Sequence, residues 1–117
     1  MKLIVAIVRP EKLEAVQAAL NKRDVYLMTA TDVRGCGRQR GYTEQYRGTE
    51  FEVRLLPKLK LEIAVNDAFV EATIDALLEA GRSGMTGQIG DGKVFVLPLD
   101  DCVRIRTGER GIAAIGP

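Results

Sequence analysis

Gly87-Gln-Ile-Gly-Asp-Gly-Lys93 packs three glycines, an aspartate and a lysine into seven residues. It opens like the phosphate-loop pattern G-x-x-x-x-G-K, then carries Val94 where that pattern needs serine or threonine. Its context decides the fold. A phosphate loop of that type follows a strand and opens a helix. Here the preceding residues have helical spacing and the following ones, Lys93-Val-Phe-Val-Leu-Pro98, read as a strand. The stretch is therefore not evidence for that NTPase class. Two local readings remain open. Glycines can turn successive N–H groups toward one anion, with Lys93 adding a point charge. Equally, Asp-Gly is common in a tight turn.

Working outward, residues 67–80 place Val70, Ile74, Leu77 and Leu78 on one helical face, and Asn66 or Asp67 can cap that helix. Asp67, Glu71 and Asp75 suit the N-terminal half of its dipole. Before it, residues 58–65 alternate, predicting a half-buried strand with Leu59, Leu61, Ile63 and Val65 inward. At the N-terminus, residues 2–8 are apolar and β-branched, a strand. Pro10 fits a first helical turn, and Leu13, Val16 and Leu20 predict a helix over 11–22. Residues 25–34 return to strand character. Residues 35–50 hold four glycines without a stable period and predict a long exposed loop.

The order is β-α-β, a long loop, then β-α-β. This predicts an α+β, ferredoxin-like split βαβ arrangement. Two helices cover one sheet face. The other face is apolar and needs cover, which oligomerisation would supply.

The chain has 117 residues, which fits one domain over 1–117. There is no histidine, so a histidine relay or histidine metal site is excluded. Cys36 and Cys102 lie far apart and form no metal-ligand spacing. The opening apolar run is too short to span a membrane and lacks a cleavage signal, so a cytosolic location is expected. Net charge is +1, but the charges are sorted. Residues 34–60 hold seven basic and three acidic groups, while residues 61–80 hold five acidic and no basic ones. That basic segment suits an anionic ligand or an acidic partner. No aromatic platform accompanies it, which argues against nucleic acid. Arg104-Ile-Arg106 in an extended segment would put two guanidinium groups on one side, either for phosphate oxygens or as a solvated edge.

Taken together, Ile7-Val-Arg-Pro10 with Lys12-Leu13, Val33 through Gly41, Tyr46-Arg-Gly-Thr-Glu50, Leu56-Pro-Lys-Leu-Lys60, Ile89 through Val96 and Val103 through Glu109 resemble the PII signal-transduction family. The matches run nearly end to end. The resemblance implies a homotrimer with three intersubunit clefts, each binding ATP or ADP. The nucleotide loop would span about 82–93, with Thr86, Gly87, Gln88, Ile89, Gly90, Asp91, Gly92 and Lys93 at the phosphates. Arg104 and Arg106 would reach them from the neighbouring subunit. Thr29 matches an adenine-side contact and Arg38 a phosphate contact, with Gly37 beside it in the nucleotide site, at the root of a partner-docking T-loop, roughly 37–55. Gln39 matches the residue that helps hold Mg²⁺, and Lys58 the one that pairs with 2-oxoglutarate. The output would be docking on a membrane transporter, an ammonium transporter by family default, or on a metabolic enzyme, with no catalysis. Recruitment to the membrane would follow from transporter docking. An adenylate or bicarbonate sensor of the PII-like group is the alternative.

Several positions depart from the family pattern. Phe51 stands where many members carry a modifiable tyrosine, and it has no hydroxyl to modify. Thr49 replaces a serine that is phosphorylated in some members, and Tyr42 replaces a common histidine. The segment 81–87 is about three residues longer than the usual run, and Gln88 replaces a common lysine or arginine.

Overall fold

The computed structural model describes residues 1–36 and 54–116. Strand β1 (Lys2–Val8) leads through a 3-10 turn at Pro10–Lys12 into helix α1 (Leu13–Asn21). Strands β2 (Thr29–Gly35) and β3 (Leu56–Val65) follow, then a 3-10 turn at Asp67–Phe69 and helix α2 (Val70–Gly81). Strand β4 (Gly92–Pro98) and a short helix α3 (Ile112–Ile115) complete the described elements. The strands form one sheet in the order β2-β3-β1-β4 with every neighbour antiparallel. The expected α+β, ferredoxin-like order is therefore present.

The period-2 and period-3.6 patterns explain how the layers meet. Ile4, Ala6 and Val8 of β1 and Leu59, Leu61, Ile63 and Val65 of β3 are buried on the helix side. Val16, Ala19 and Leu20 of α1 and Ala76 and Leu77 of α2 pack on them in one core. Fully burying side chains such as Ile4, Leu61 and Ile63 contributes roughly 2 kcal/mol each. Thr73 is the buried polar side chain of α2, and its hydroxyl donates to the Phe69 carbonyl at 2.7 Å. Arg23 ties the two helices together by donating to Glu79 at 2.9 Å and to the Ala19 carbonyl at 3.0 Å.

Helices α1 and α2 both pack on one face of the sheet and leave the opposite face of β1 and β4 without them. Leu3 stands beside Leu97, and Val5 beside Phe95. Phe95 and Leu97 are 49% and 42% exposed, so an apolar stripe crosses β1 and β4 in the open.

Two expectations need correction. The second strand starts at Thr29, not near residue 25. Asp24 adopts a left-handed φ of 62°, and the Val25 N–H turns back to the Leu20 carbonyl at 3.0 Å. Val25 then caps the core under α1 instead of entering the sheet. Leu78, expected on the buried face of α2, is 45% exposed, while Thr73 and Ala76 take the inward places. The tail also folds more than its composition suggests, since α3 forms within it. The helix cap is settled as Asn66, whose Oδ1 accepts from the Ala68 N–H at 3.0 Å. Among the described residues, no helix is long and apolar enough to cross a membrane.

Candidate functional site

The glycine-rich loop between α2 and β4 is built around one carboxylate. Asp91 Oδ1 accepts from Arg9 Nε at 3.0 Å and from the Ser83 hydroxyl at 2.6 Å. Its Oδ2 accepts from the N–H groups of Ser83 at 2.9 Å and Gln88 at 2.8 Å. Arg9 continues to the Ile89 carbonyl at 3.0 Å, and the Asp91 N–H closes a turn onto the Gln88 carbonyl at 3.1 Å. Burial opposes ionisation of Asp91. The bonds from the Ser83 hydroxyl, the Ser83 and Gln88 N–H groups and Arg9 outweigh it, holding the carboxyl far below the usual carboxylate range.

The glycines answer to backbone shape. Gly87 and Gly90 have φ of 81° and 102°, a region that L side chains rarely adopt. Gly92 has φ of 111°, and a Cβ there would sit 1.7 Å from the Ile7 carbonyl oxygen. The loop can enter β4 beside Val8, its register partner, only because that side chain is missing.

Two cavities flank the loop. One, about 780 Å³, lies between the end of α2 and β4 and is lined in part by Arg82, Thr86, Gly87, Gln88 and Lys93. The other, about 550 Å³, takes Arg34, Gly35, Cys36, Lys58 and Gly90. Ile89, Gly92 and Lys93 border both, so this loop is their shared wall. Lys58 reaches from β3 to donate to the Gly90 carbonyl at 2.9 Å. Lys93 makes no ion pair or side-chain hydrogen bond among the described residues. It stands opposite Ile7 on the uncovered sheet face.

The fold thus brings together Lys58, Thr86, Gly87, Gln88, Ile89, Gly90, Gly92 and Lys93. Asp91 is in the same loop, but its two oxygens are filled by the protein, so its place is to hold the loop in shape. Thr29 opens β2, exposed and opposite Glu62, and lines neither cavity. Arg104 and Arg106 also line neither cavity. Their expected extended placement is corrected: residues 104–109 form a turn in which the Arg104 N–H donates to the Glu109 carbonyl and the Gly108 N–H to the Arg104 carbonyl. Gly108, at φ 75°, lets the chain reverse, so the two guanidinium groups do not share one strand face. Gly37, Arg38, Gln39 and nearly all of the 37–55 loop, with Tyr42, Tyr46, Thr49 and Phe51, lie outside the described residues.

Sequence reading missed Arg9 and Ser83 as loop-holding residues. The available signal was weak: an arginine just after β1 and a serine in the 81–87 run. Among the described residues, no cluster of His, Cys, Asp or Glu is arranged to hold a metal ion. The site offers cations and glycine backbone, a chemistry that suits an anion.

The chain is similar to known proteins over nearly its full length. The family model for nitrogen regulatory protein P-II matches residues 1–109. Nitrogen regulatory protein P-II 2 of Methanothermobacter thermautotrophicus is 52% identical, covering 98% of this chain and 97% of the relative. GlnK1 of Methanosarcina mazei is 50% identical with the same coverage, 98% and 97%. The P-II protein of Synechocystis sp. is 50% identical across 98% of this chain and all of its own length.

Proposed function

Because the chain belongs to the nitrogen regulatory protein P-II family, regulators and not enzymes, we propose that it senses adenylate nucleotides and controls a partner protein of nitrogen metabolism. The observation that carries this reading is the loop at residues 87–93. It is fixed by Asp91, opened by three glycines, and holds Lys93, which has no ion pair or side-chain hydrogen bond among the described residues, at the mouth of two cavities. In this reading Thr86, Gly87, Gln88, Ile89, Gly90, Gly92 and Lys93 receive the phosphates of ATP or ADP. Asp91 keeps the backbone donors aimed. Gly37 and Arg38 approach from the root of the T-loop.

The working unit is a homotrimer of one-domain chains. The open stripe of Leu3, Val5, Phe95 and Leu97 is what a second copy would cover. Arg104 and Arg106 complete the cleft of a neighbouring subunit, and Thr29 lies at the base end.

Mg²⁺, when bound, would supply hard positive charge shared by phosphate and keto-acid oxygens, with Gln39 as the protein ligand. Lys58 then pairs with a carboxylate of 2-oxoglutarate. Its present partner is the Gly90 carbonyl, so taking a carboxylate shifts a bond that now braces the phosphate loop. Ligand occupancy is thereby transmitted to the strands that flank the T-loop, at Gly35 of β2 and Lys58 of β3, and selects its docking shape. The partner is an ammonium transporter or a nitrogen-assimilation enzyme, met from the cytoplasm.

A second reading is an adenylate or bicarbonate sensor of the PII-like group. The engagement of Lys58 by Gly90 favours it, since that lysine is not standing free for a keto acid. Calorimetric titration separates the two. The first reading expects ATP–Mg²⁺ and ADP each to bind, and 2-oxoglutarate to bind only with ATP–Mg²⁺ present. Nucleotide binding with no keto-acid response selects the second. No nucleotide binding refutes both.

A further inference from the structure

We propose that the C-terminal segment is an internal competitor for the nucleotide cleft, because it holds Arg104, a guanidinium that a phosphate ligand needs. The inference rests on the nucleotide reading above and adds a regulation to that site.

Arg104 is not free. Its Nη1 donates to Glu109 Oε1 at 3.1 Å. Its Nη2 donates to the carbonyls of Ala113 at 3.2 Å and Ala114 at 3.3 Å. Those carbonyls lie in the four-residue helix α3, whose end leaves acceptors unpaired. Arg106, two positions on, makes no ion pair or side-chain hydrogen bond among the described residues. One arginine of the pair is stored and the other is available.

The segment that stores it is itself docked. Ile115 is 5% exposed and sits beside Val25, Leu27 and Ala64. Asn66 Nδ2 donates to the Gly116 carbonyl at 3.2 Å. The α3 turn is closed by the N–H groups of Ala114 and Ile115 on the Gly111 carbonyl and of Gly116 on the Ile112 carbonyl. This socket includes Leu27, two residues before Thr29, where the base of the nucleotide is placed.

A guanidinium binds phosphate through the same paired N–H groups that here face Glu109 and the α3 carbonyls. Arg104 cannot serve both at full strength. A ligand that takes Arg104 removes one of the ties on α3, and a docked tail lowers the fraction of chain competent to bind. Binding and release are then two readings of one coupling free energy.

The test combines calorimetry with hydrogen exchange on the full chain, on Ile115→Ser, and on a chain ending at Gly111. Neither change touches a residue assigned to the ligand, and the truncated chain guards against a misfolded Ile115→Ser. ATP–Mg²⁺ is expected to strip protection from the amides of Ala114, Ile115 and Gly116 in the full chain. Both altered chains are expected to bind ATP about fivefold to tenfold more tightly. Binding by the altered chains alone would support the competitor in its strongest form. ATP binding with unchanged tail protection and equal affinity in all three chains overturns the competitor and leaves the nucleotide reading standing. Weaker binding by both altered chains also overturns it, since the tail would then assist the ligand. No ATP binding by any of the three overturns the nucleotide reading and the competitor together.

Discussion

Arg9 donates to Asp91 at 3.0 Å across a separation of 82 residues, joining the end of the first strand to the loop that opens the last. The pair is largely shielded, with side-chain exposures of 23% and 18%. It is the clamp that gives the glycine-rich loop one shape.

Asp91→Asn should therefore damage the loop more than a surface substitution does. An amide presents an NH₂ where the carboxylate met only donors, so at least one donor loses its acceptor. The expected cost is about 2–3 kcal/mol, read from urea unfolding. Arg9→Met should cost less, about 1 kcal/mol, because Asp91 keeps the Ser83 and Gln88 donors. Equal losses in the two variants would show that the aspartate acts only through the arginine.

The same carboxylate predicts an acid-side dependence. Its folded pKa is depressed, so its contribution to stability is complete above the unfolded value of about 4. It is lost as pH falls from there toward the folded value. Asp67 and Asp101 are also depressed and add to the same slope, so the difference between wild type and Asp91→Asn isolates one group. Unfolding free energies between about pH 5 and pH 2 should fall more steeply in wild type than in the variant. Parallel curves would mean that the bonds to Asp91 do not favour its charged form.

Much of this fold can be read from spacing, because the patterns involved are local. The alternation from Leu59 to Val65 put four side chains inward, and all four are buried. The run from Val25 to Leu27 is just as apolar, yet it stays outside the sheet. What turns it aside is the left-handed conformation of Asp24, which no period records. The clamp at Asp91 is illegible for a different reason. Arg9 comes near it only through the β1–β4 register, which sets Val8 beside Gly92. Helix α3 is held by Arg104 and Asn66, so its four residues carry too little pattern of their own. The glycine positions in the loop were legible as glycines, but only the geometry separates Gly92, which meets a carbonyl, from Gly108, which meets nothing.

That distinction predicts two alanine substitutions of unequal cost. Gly92→Ala would push a Cβ to within 1.7 Å of the Ile7 carbonyl oxygen at a φ of 111°. The end of the β1–β4 pair must part, with an expected loss of about 3 kcal/mol or more. Gly108→Ala, at a φ of 75° with no atom within 4 Å, pays only the left-handed conformation, about 1 kcal/mol. Denaturant midpoints give both values. Comparable losses would mean that the backbone angle and not the close approach governs Gly92.

The uncovered sheet face yields the remaining prediction. Phe95 and Val5 stand side by side there, with Leu3 and Leu97 as the next pair along the strands. Burying a phenylalanine stabilises by about 2–3 kcal/mol, and in a symmetric assembly that gain recurs in every subunit. Phe95→Glu reverses it, bringing repeated negative charges toward an apolar contact. Light scattering after size exclusion should find the proposed trimer in wild type and a monomer in Phe95→Glu. Exposed Leu78, on the helix layer, is the control: Leu78→Glu should leave the assembly intact. If Leu78→Glu breaks the assembly and Phe95→Glu spares it, the subunits meet through the helices and the open sheet face serves some other contact.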